Sequence, residues 1–234
     1  AMNMREFIKA ARQNGTLVTI ERQVDRHLEI AQIAAQHDGR AVLFERVKGQ
    51  SLRVVSGLCS ARRYFALALG LPQDKLSSAL AEALAHPKPP PLVEYGACQE
   101  VIEPAPDLDR LPILTHLPGD GGPYITAGVM VIHDPDYGRN VSFHRLMITG
   151  PRTATVRVVE GRGTHTAWRK CHGDLPVAVC IGCSHAVLLA GSMSPAKGVD
   201  ELSIANALAP TPLVRCQTSD LHVPADCEIV LEGR

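Results

Sequence analysis

The sequence predicts an α/β unit over residues 1–91, followed by a β-rich barrel or sandwich with helical insertions over residues 92–234. Three observations carry this reading. Helical and strand periodicities alternate through the first part of the chain. A proline cluster at Pro87, Pro89, Pro90 and Pro91 then breaks it, as suits an extended connector. Beyond the prolines, short apolar runs separated by turn signals take over.

In the first unit, Arg5 to Asn14 places Phe7, Ile8 and Ala11 on one helical face, and Gly15 supplies a stop. Leu17 to Ile20 predicts a strand. Leu28 to His37 predicts a helix ending before Gly39. Ala41 to Phe44 and Leu52 to Val55 predict strands, and Ala61 to Leu69 and Asp74 to Ala85 helices. In the second unit the strand candidates are Thr126 to His133, Val141 to Thr149, Ala154 to Val159, Val177 to Cys183, Ala186 to Ala190 and Glu228 to Glu232. The helix candidates are Thr166 to Cys171 and Glu201 to Leu208.

With 24 basic and 24 acidic residues the formal charge is zero, so no long-range field draws nucleic acid or an anionic membrane. An anionic ligand needs a local site. No apolar run reaches the length of a membrane span, and an amphipathic stretch, not an apolar one, follows the opening residues. Seven scattered cysteines suit free thiols in a cytoplasmic setting. There is no nucleophile elbow, phosphate-binding Walker loop or dinucleotide fingerprint, so a serine hydrolase or nucleoside triphosphatase has no support.

Four segments hold chemistry-bearing residues. In Asn140 to Arg145, the Asn amide oxygen is a hard ligand and the Arg guanidinium a planar fork for carboxylate or phosphate; a half-exposed strand with a wet polar side is the plainer reading. Glu160 to His165 has glycines at 161 and 163 that let backbone approach a ligand, with Thr164 as a possible helix cap; a turn with a solvated His competes. Gly191 to Pro195 resembles a phosphate-cradling loop at the end of an apolar strand. Glu201 downstream offers a carboxylate, or with Asp200 simply starts a helix. Cys180 and Cys183, with Cys171 and His172, have zinc-like spacing, although Cys180 sits inside an apolar run that suits a buried strand.

Taken in order, these segments resemble the UbiD family of decarboxylases. Met4-Arg-Glu-Phe-Ile with Gly15-Thr-Leu-Val is similar to the family's opening. Leu108-Asp-Arg-Leu-Pro112, Gly122-Pro-Tyr-Ile-Thr126 and Leu175 to Gly182 resemble its successive motifs. Thr218-Ser-Asp-Leu-His-Val-Pro-Ala225, followed by Glu228-Ile-Val-Leu-Glu-Gly233, is the most specific match. The resemblance implies a split β-barrel of the flavin-reductase type over residues 92–234. It also implies reversible, non-oxidative decarboxylation of an aromatic or α,β-unsaturated carboxylic acid with prenylated FMN. The flavin would be lined by Thr126, Ser142, Phe143, His144, Arg145, Arg162, His165, Ser192, Met193, Ser194 and Pro195. Arg145 would be the catalytic arginine that holds the substrate carboxylate. Asn140, His165 and Glu201 would bind Mn2+ or Mg2+, with K+ alongside.

A prenyl-FMN synthase is the implied cofactor supplier, and a homo-oligomer the implied full-length state. The family's catalytic glutamates follow the final signature, where this sequence ends. A fragment without turnover of its own is therefore expected, or else a natural split subunit. A non-catalytic flavin-binding or maturation subunit is the alternative from another class, and a zinc-stabilised domain the third.

Overall fold

A computed structural model describes residues 2–234. Helix α1 (Met4–Gln13) opens with a reciprocal cap. The Asn3 side chain accepts from the Glu6 backbone N–H at 2.9 Å, and the Glu6 carboxylate accepts from the Asn3 N–H at 3.0 Å. Strand β1 (Leu17–Val24) runs parallel to β2 (Ala41–Val47), with α2 (Glu29–Gln36) as the crossover, and β3 (Val54–Ser56) adds antiparallel to β2. Helix α3 (Arg62–Leu69) carries the fully buried Tyr64, whose hydroxyl accepts from Ala41 N–H at 2.7 Å and donates to the Thr16 carbonyl at 2.8 Å. One phenol thus ties α3 to both parallel strands.

Helix α4 (Leu76–Ala85) packs on α7 (Glu201–Leu208), and its Ala83 enters the core of the second unit. The proline connector is pinned rather than free. Lys88 N–H donates to the Ser203 carbonyl at 2.9 Å, and the Asn206 amide donates to the carbonyls of Lys88 and Pro89 at 3.1 and 3.2 Å. It leads into β4 (Leu92–Val93).

The second unit is built on a four-stranded antiparallel sheet in the order β13-β10-β6-β7, from β6 (Val129–Asp134), β7 (Gly138–Phe143), β10 (Val177–Ile181) and β13 (Ile229–Gly233). Alternation sends Val129, Val131, Val141, Ala178 and Cys180 to one face, beneath α6 (His185–Gly191) and α7. Met130, Ile132 and Val179 point to the other face. There they meet α5 (Gly163–Lys170) and a second sheet, β5-β8-β9, made of Tyr124–Ile125, Leu146–Gly150 and Thr153–Val156. A third small sheet has the order β12-β11-β4, with β11 (Leu213–Arg215) and β12 (His222–Pro224).

Three differences from the sequence expectation stand out. The strands expected to form a split barrel are spread over three sheets, and none closes on itself among the described residues. The run Val141 to Thr149, read as one strand, changes sheets at His144 and Arg145: β7 pairs with β6, whereas β8 pairs with β5 and β9. Ala186 to Ala190, read as a strand, is the middle of helix α6, which Ser184 caps. An apolar run of five has no periodicity of its own, and the capping serine two residues before it was the available signal.

Candidate active site

The site forms at the outer edge of β7, where α5 from one face of the sheet and α7 from the other converge. Because β7 is an edge strand, some of its backbone groups lack a strand partner. Glu201, at the first turn of α7, supplies one. Its Oε2 accepts from Val141 N–H at 2.9 Å, and its Oε1 accepts from the Asn140 amide Nδ2 at 3.1 Å. Asp200 caps the same helix, accepting from Leu202 N–H at 2.9 Å, so Glu201 lies in the first turn of α7 and also meets Asn140. Glu201 is only 4% exposed. Burial pushes its carboxyl up to about 7; the charge of Asp200 acts in the same direction, and the hydrogen bonds from Val141 and Asn140 oppose it. Both Glu201 oxygens meet neutral donors, with no ion pair among the described residues, and the Asn140 amide turns its Nδ2 rather than its Oδ1 toward Glu201.

Helix α5 approaches from the opposite face. A Cβ at Gly163 would lie 3.0 Å from Asn140 Oδ1, so the glycine permits this close contact. Arg162 occupies the cap position without a side-chain cap bond and is exposed. Thr164 does not cap the helix, contrary to expectation. It is buried, and its hydroxyl hydrogen-bonds His144 Nε2 at 2.9 Å, the same nitrogen that meets Ser142 Oγ at 3.0 Å. Burial pulls the His144 imidazole below its ordinary value, against a hydrogen bond with the Arg157 backbone. His165 is not hydrogen-bonded to Asn140 or Glu201. Its Nδ1 accepts from Gly161 N–H at 3.2 Å, two positions before the glycine that touches Asn140.

Arg145 lies in the turn between β7 and β8, exposed and without a hydrogen bond or ion pair among the described residues. The loop Ser192 to Pro195 follows the C-terminal end of α6, not a strand, so it is carbonyls rather than free N–H groups that the helix ends on. A Cβ at Gly191 would sit 3.5 Å from the Phe143 ring, so the start of this loop lies close against β7; Phe143 and Met193 pack against the same core. Thr126 is exposed between β5 and β6. A cavity of about 1810 Å³ is lined by residues of both units. It takes in Thr126, Met130, Thr164 and Trp168 but not Asn140, Arg145 or Glu201, so Thr164 is the link between cavity and strand-edge site.

The zinc alternative does not assemble. Cys171 packs with the α5-side core, His172 is exposed, and Cys180 and Cys183 are buried in the opposite core. All seven cysteines are free, and among the described residues no three His, Cys, Asp or Glu side chains are placed to hold a metal ion. Hydrogen bonds with Cys183 and Cys227, together with burial, hold the Cys180 thiol well above its ordinary value. Among the described residues, no helix is long and apolar enough to cross a membrane. Sequence reasoning did not single out the Arg139–Asp200 ion pair or the His144–Thr164 contact, since both depend on which elements share the β7 edge.

Known proteins resemble this chain along its whole length. Residues 8–84 match the 3-octaprenyl-4-hydroxybenzoate carboxy-lyase N-terminal domain, and residues 92–234 match the Rift-related domain of the same family. The anhydromevalonate phosphate decarboxylase of Methanothermobacter thermautotrophicus is 37% identical over 99% of this chain and 55% of its own length. HmfF from Pelotomaculum thermopropionicum, a UbiD-class enzyme solved in complex with prenylated FMN in an evolved dimeric form, superposes with a TM-score of 0.93 at 40% identity, covering 99% of this chain and 57% of that one. The apo 3,4-dihydroxybenzoic acid decarboxylase of Klebsiella pneumoniae gives a TM-score of 0.88 at 26% identity, over 100% of this chain and 54% of that one. The chain thus spans about half the length of the curated relatives it matches. Two successive domain matches along one chain, with whole-chain similarity to carboxy-lyases, settle the classification: this chain belongs to the UbiD family.

Proposed function

We propose that this chain binds prenylated FMN at the β7 edge and forms the cofactor-binding part of a non-oxidative decarboxylase. The substrate class is aromatic or α,β-unsaturated carboxylic acids. The observation that carries this is the buried Glu201–Asn140 contact, two residues' reach from the solvent-facing strand end that carries Ser142, Phe143 and Arg145. In relatives of this family a flavin is bound, as the HmfF complexes with prenylated FMN and FMN illustrate.

In this reading Asn140 and Glu201 hold a Mn2+ or Mg2+ ion through hard oxygen donors, and a K+ ion accompanies it. When bound there, a divalent ion would offset the charge of the flavin phosphate. His165 joins the divalent ion only after giving up its hydrogen bond with Gly161. Ser142, Phe143, His144, Arg162 and the loop Ser192 to Pro195 line the flavin, with Thr126 at the far side. Prenylated FMN, when bound, supplies the electron sink for loss of CO2. Arg145, permanently charged and unpaired by the protein, orients the substrate carboxylate through its planar fork. The half-buried His144, fixed between two hydroxyls, keeps the β7–β8 turn and therefore Arg145 in register with α5.

The test is co-expression with a prenyl-FMN synthase, followed by an absorbance spectrum, metal analysis and a screen of aromatic and acrylic acids. Bound flavin with stoichiometric manganese, both lost in Glu201→Ala, is the expected result. A purified chain that takes up neither under these conditions would sink the reading.

A further inference from the structure

Two adjacent carboxylates, Asp200 and Glu201, start α7, and the protein treats them differently. Arg139 Nη1 meets Asp200 Oδ2 at 2.6 Å, and the pair is about four-fifths buried, with side chains 21% and 24% exposed. Ser203 Oγ donates to the same Asp200 oxygen at 3.1 Å, while Asp200 Oδ1 caps Leu202 N–H. Every acceptor on Asp200 is thus engaged by a cation, a hydroxyl or a backbone donor. Glu201 next to it meets only the neutral Asn140 amide and Val141 N–H. The clasp is therefore double: consecutive residues 139 and 140 of β7 engage consecutive residues 200 and 201 of α7.

We infer that Arg139 and Asp200 form a positioning pair that locks the start of α7 to the β7 edge and thereby aims the Glu201 carboxylate at Asn140 and Val141. The argument is geometric and electrostatic. A side chain at the first helical turn has rotamers that would carry it into solvent. The strong, partly buried ion pair one residue earlier fixes the helix start in translation and rotation, so the Glu201 carboxylate is held within reach of Val141 N–H. Arg139 also offsets part of the Asp200 charge, which still bears on the carboxyl beside it. The pair leaves Glu201 as the carboxyl of the two that meets no protein cation among the described residues, and so the one left to a divalent cation. This last consequence rests on the cation reading given under the proposed function; the positioning itself does not.

The experiment uses Arg139→Met, Arg139→Lys, Asp200→Asn and, as a control, Lys170→Met. Lys170 makes ion pairs with Asp134 and Asp136 at the turn of the same hairpin, at 2.8 and 2.7 Å, and neither carboxylate lies on α7. Asn retains the helix cap, so Asp200→Asn removes the ion pair and not the capping bond. Amide exchange at Val141 is followed in the metal-free protein, and Mn2+ affinity is followed by titration. The expected result is at least tenfold faster Val141 exchange and at least tenfold weaker Mn2+ binding in Arg139→Met and Asp200→Asn. Arg139→Lys should fall in between and Lys170→Met should match wild type. The combined Arg139→Met, Asp200→Asn variant should be no worse than either alone, as coupled partners require. Val141 exchange at the wild-type rate in Arg139→Met would overturn the pair, whatever the metal does. Wild-type protein that binds no Mn2+ while its variants still show the Val141 response would defeat the cation reading and support the positioning pair.

Discussion

Two junctions hold this molecule together, and each buries one titratable side chain. At the β7 edge it is Glu201; at the seam between the N-terminal unit and α6 it is His185, 2% exposed. Burial drives both toward their neutral forms, raising the glutamate and lowering the histidine. Their surroundings differ in kind. The His185 ring lies 4.3 Å from Phe7 and 5.5 Å from Phe65, and its Nε2 hydrogen-bonds the Leu58 carbonyl at 2.8 Å. Two aromatic rings and one carbonyl are its neighbours there. Glu201 instead meets the Asn140 amide and the Val141 N–H at a strand edge. The lesson is that a perturbed buried group marks a candidate site only where its neighbours are polar and the strand edge is open; at the seam the same perturbation is structural.

The seam should be the more costly to disturb. His185→Ala removes its aromatic packing and a hydrogen bond, and should cost about 2–4 kcal/mol in urea unfolding while leaving Val141 exchange unchanged. A change at Val141 would mean that the two junctions are one cooperative unit. Gly163→Ala probes the other junction. Its methyl would press on Asn140 Oδ1 at 3.0 Å, and the expected penalty is about 1–3 kcal/mol together with weaker Mn2+ binding. Normal metal affinity in that variant would show that α5 is not part of the site.

Acid sensitivity separates the junctions further. The folded-state pKa of His185 is lowered, so the unfolded chain takes up its proton first. Stability is complete above the unfolded value near 6.5 and falls as pH drops through the window between it and the lowered folded value, by at most about 1.4 kcal/mol per pH unit for one histidine. His185→Gln keeps a donor for the Leu58 carbonyl and should flatten this limb; an unchanged acid limb would assign it to His144 or His222, which are also lowered. The smallest effect belongs to the exposed end of the seam. Arg5 pairs with Glu228 at 2.8 Å but is 79% exposed, and Arg5→Ala should change stability by no more than about 1 kcal/mol, diminishing with salt.

The sequence carried local information well where local physics decided it. Asp200 followed by apolar spacing predicts the helix Glu201–Leu208 observed as α7, and Gly15 ends α1 as expected. It failed where partners lie far apart. Nothing between Val141 and Thr149 announces that the chain leaves one sheet for another at His144, because that is decided by β5 and β9. Likewise, residues 140, 144, 145, 165 and 201 were singled out on motif resemblance. Only the fold reveals that Glu201 caps an edge-strand amide, that His144 binds Thr164, and that His165 turns instead to Gly161. Arg139 carries no motif of its own; its role depends on a helix start 61 positions later.

The pinned proline connector has a kinetic consequence. Leu92 and Val93 pair in parallel with Leu213 and Val214, and Lys88 is held by Ser203, so the middle of the chain can dock only after its last quarter exists. Closing so long a loop is slow, and until it closes β4 presents an unprotected strand whose Leu92 remains 63% exposed even after folding. Refolding should therefore proceed in two phases, with the parallel β1–β2 layer forming early and the connector seating last. Crowded nascent chains would be most prone to mispair during the interval between them.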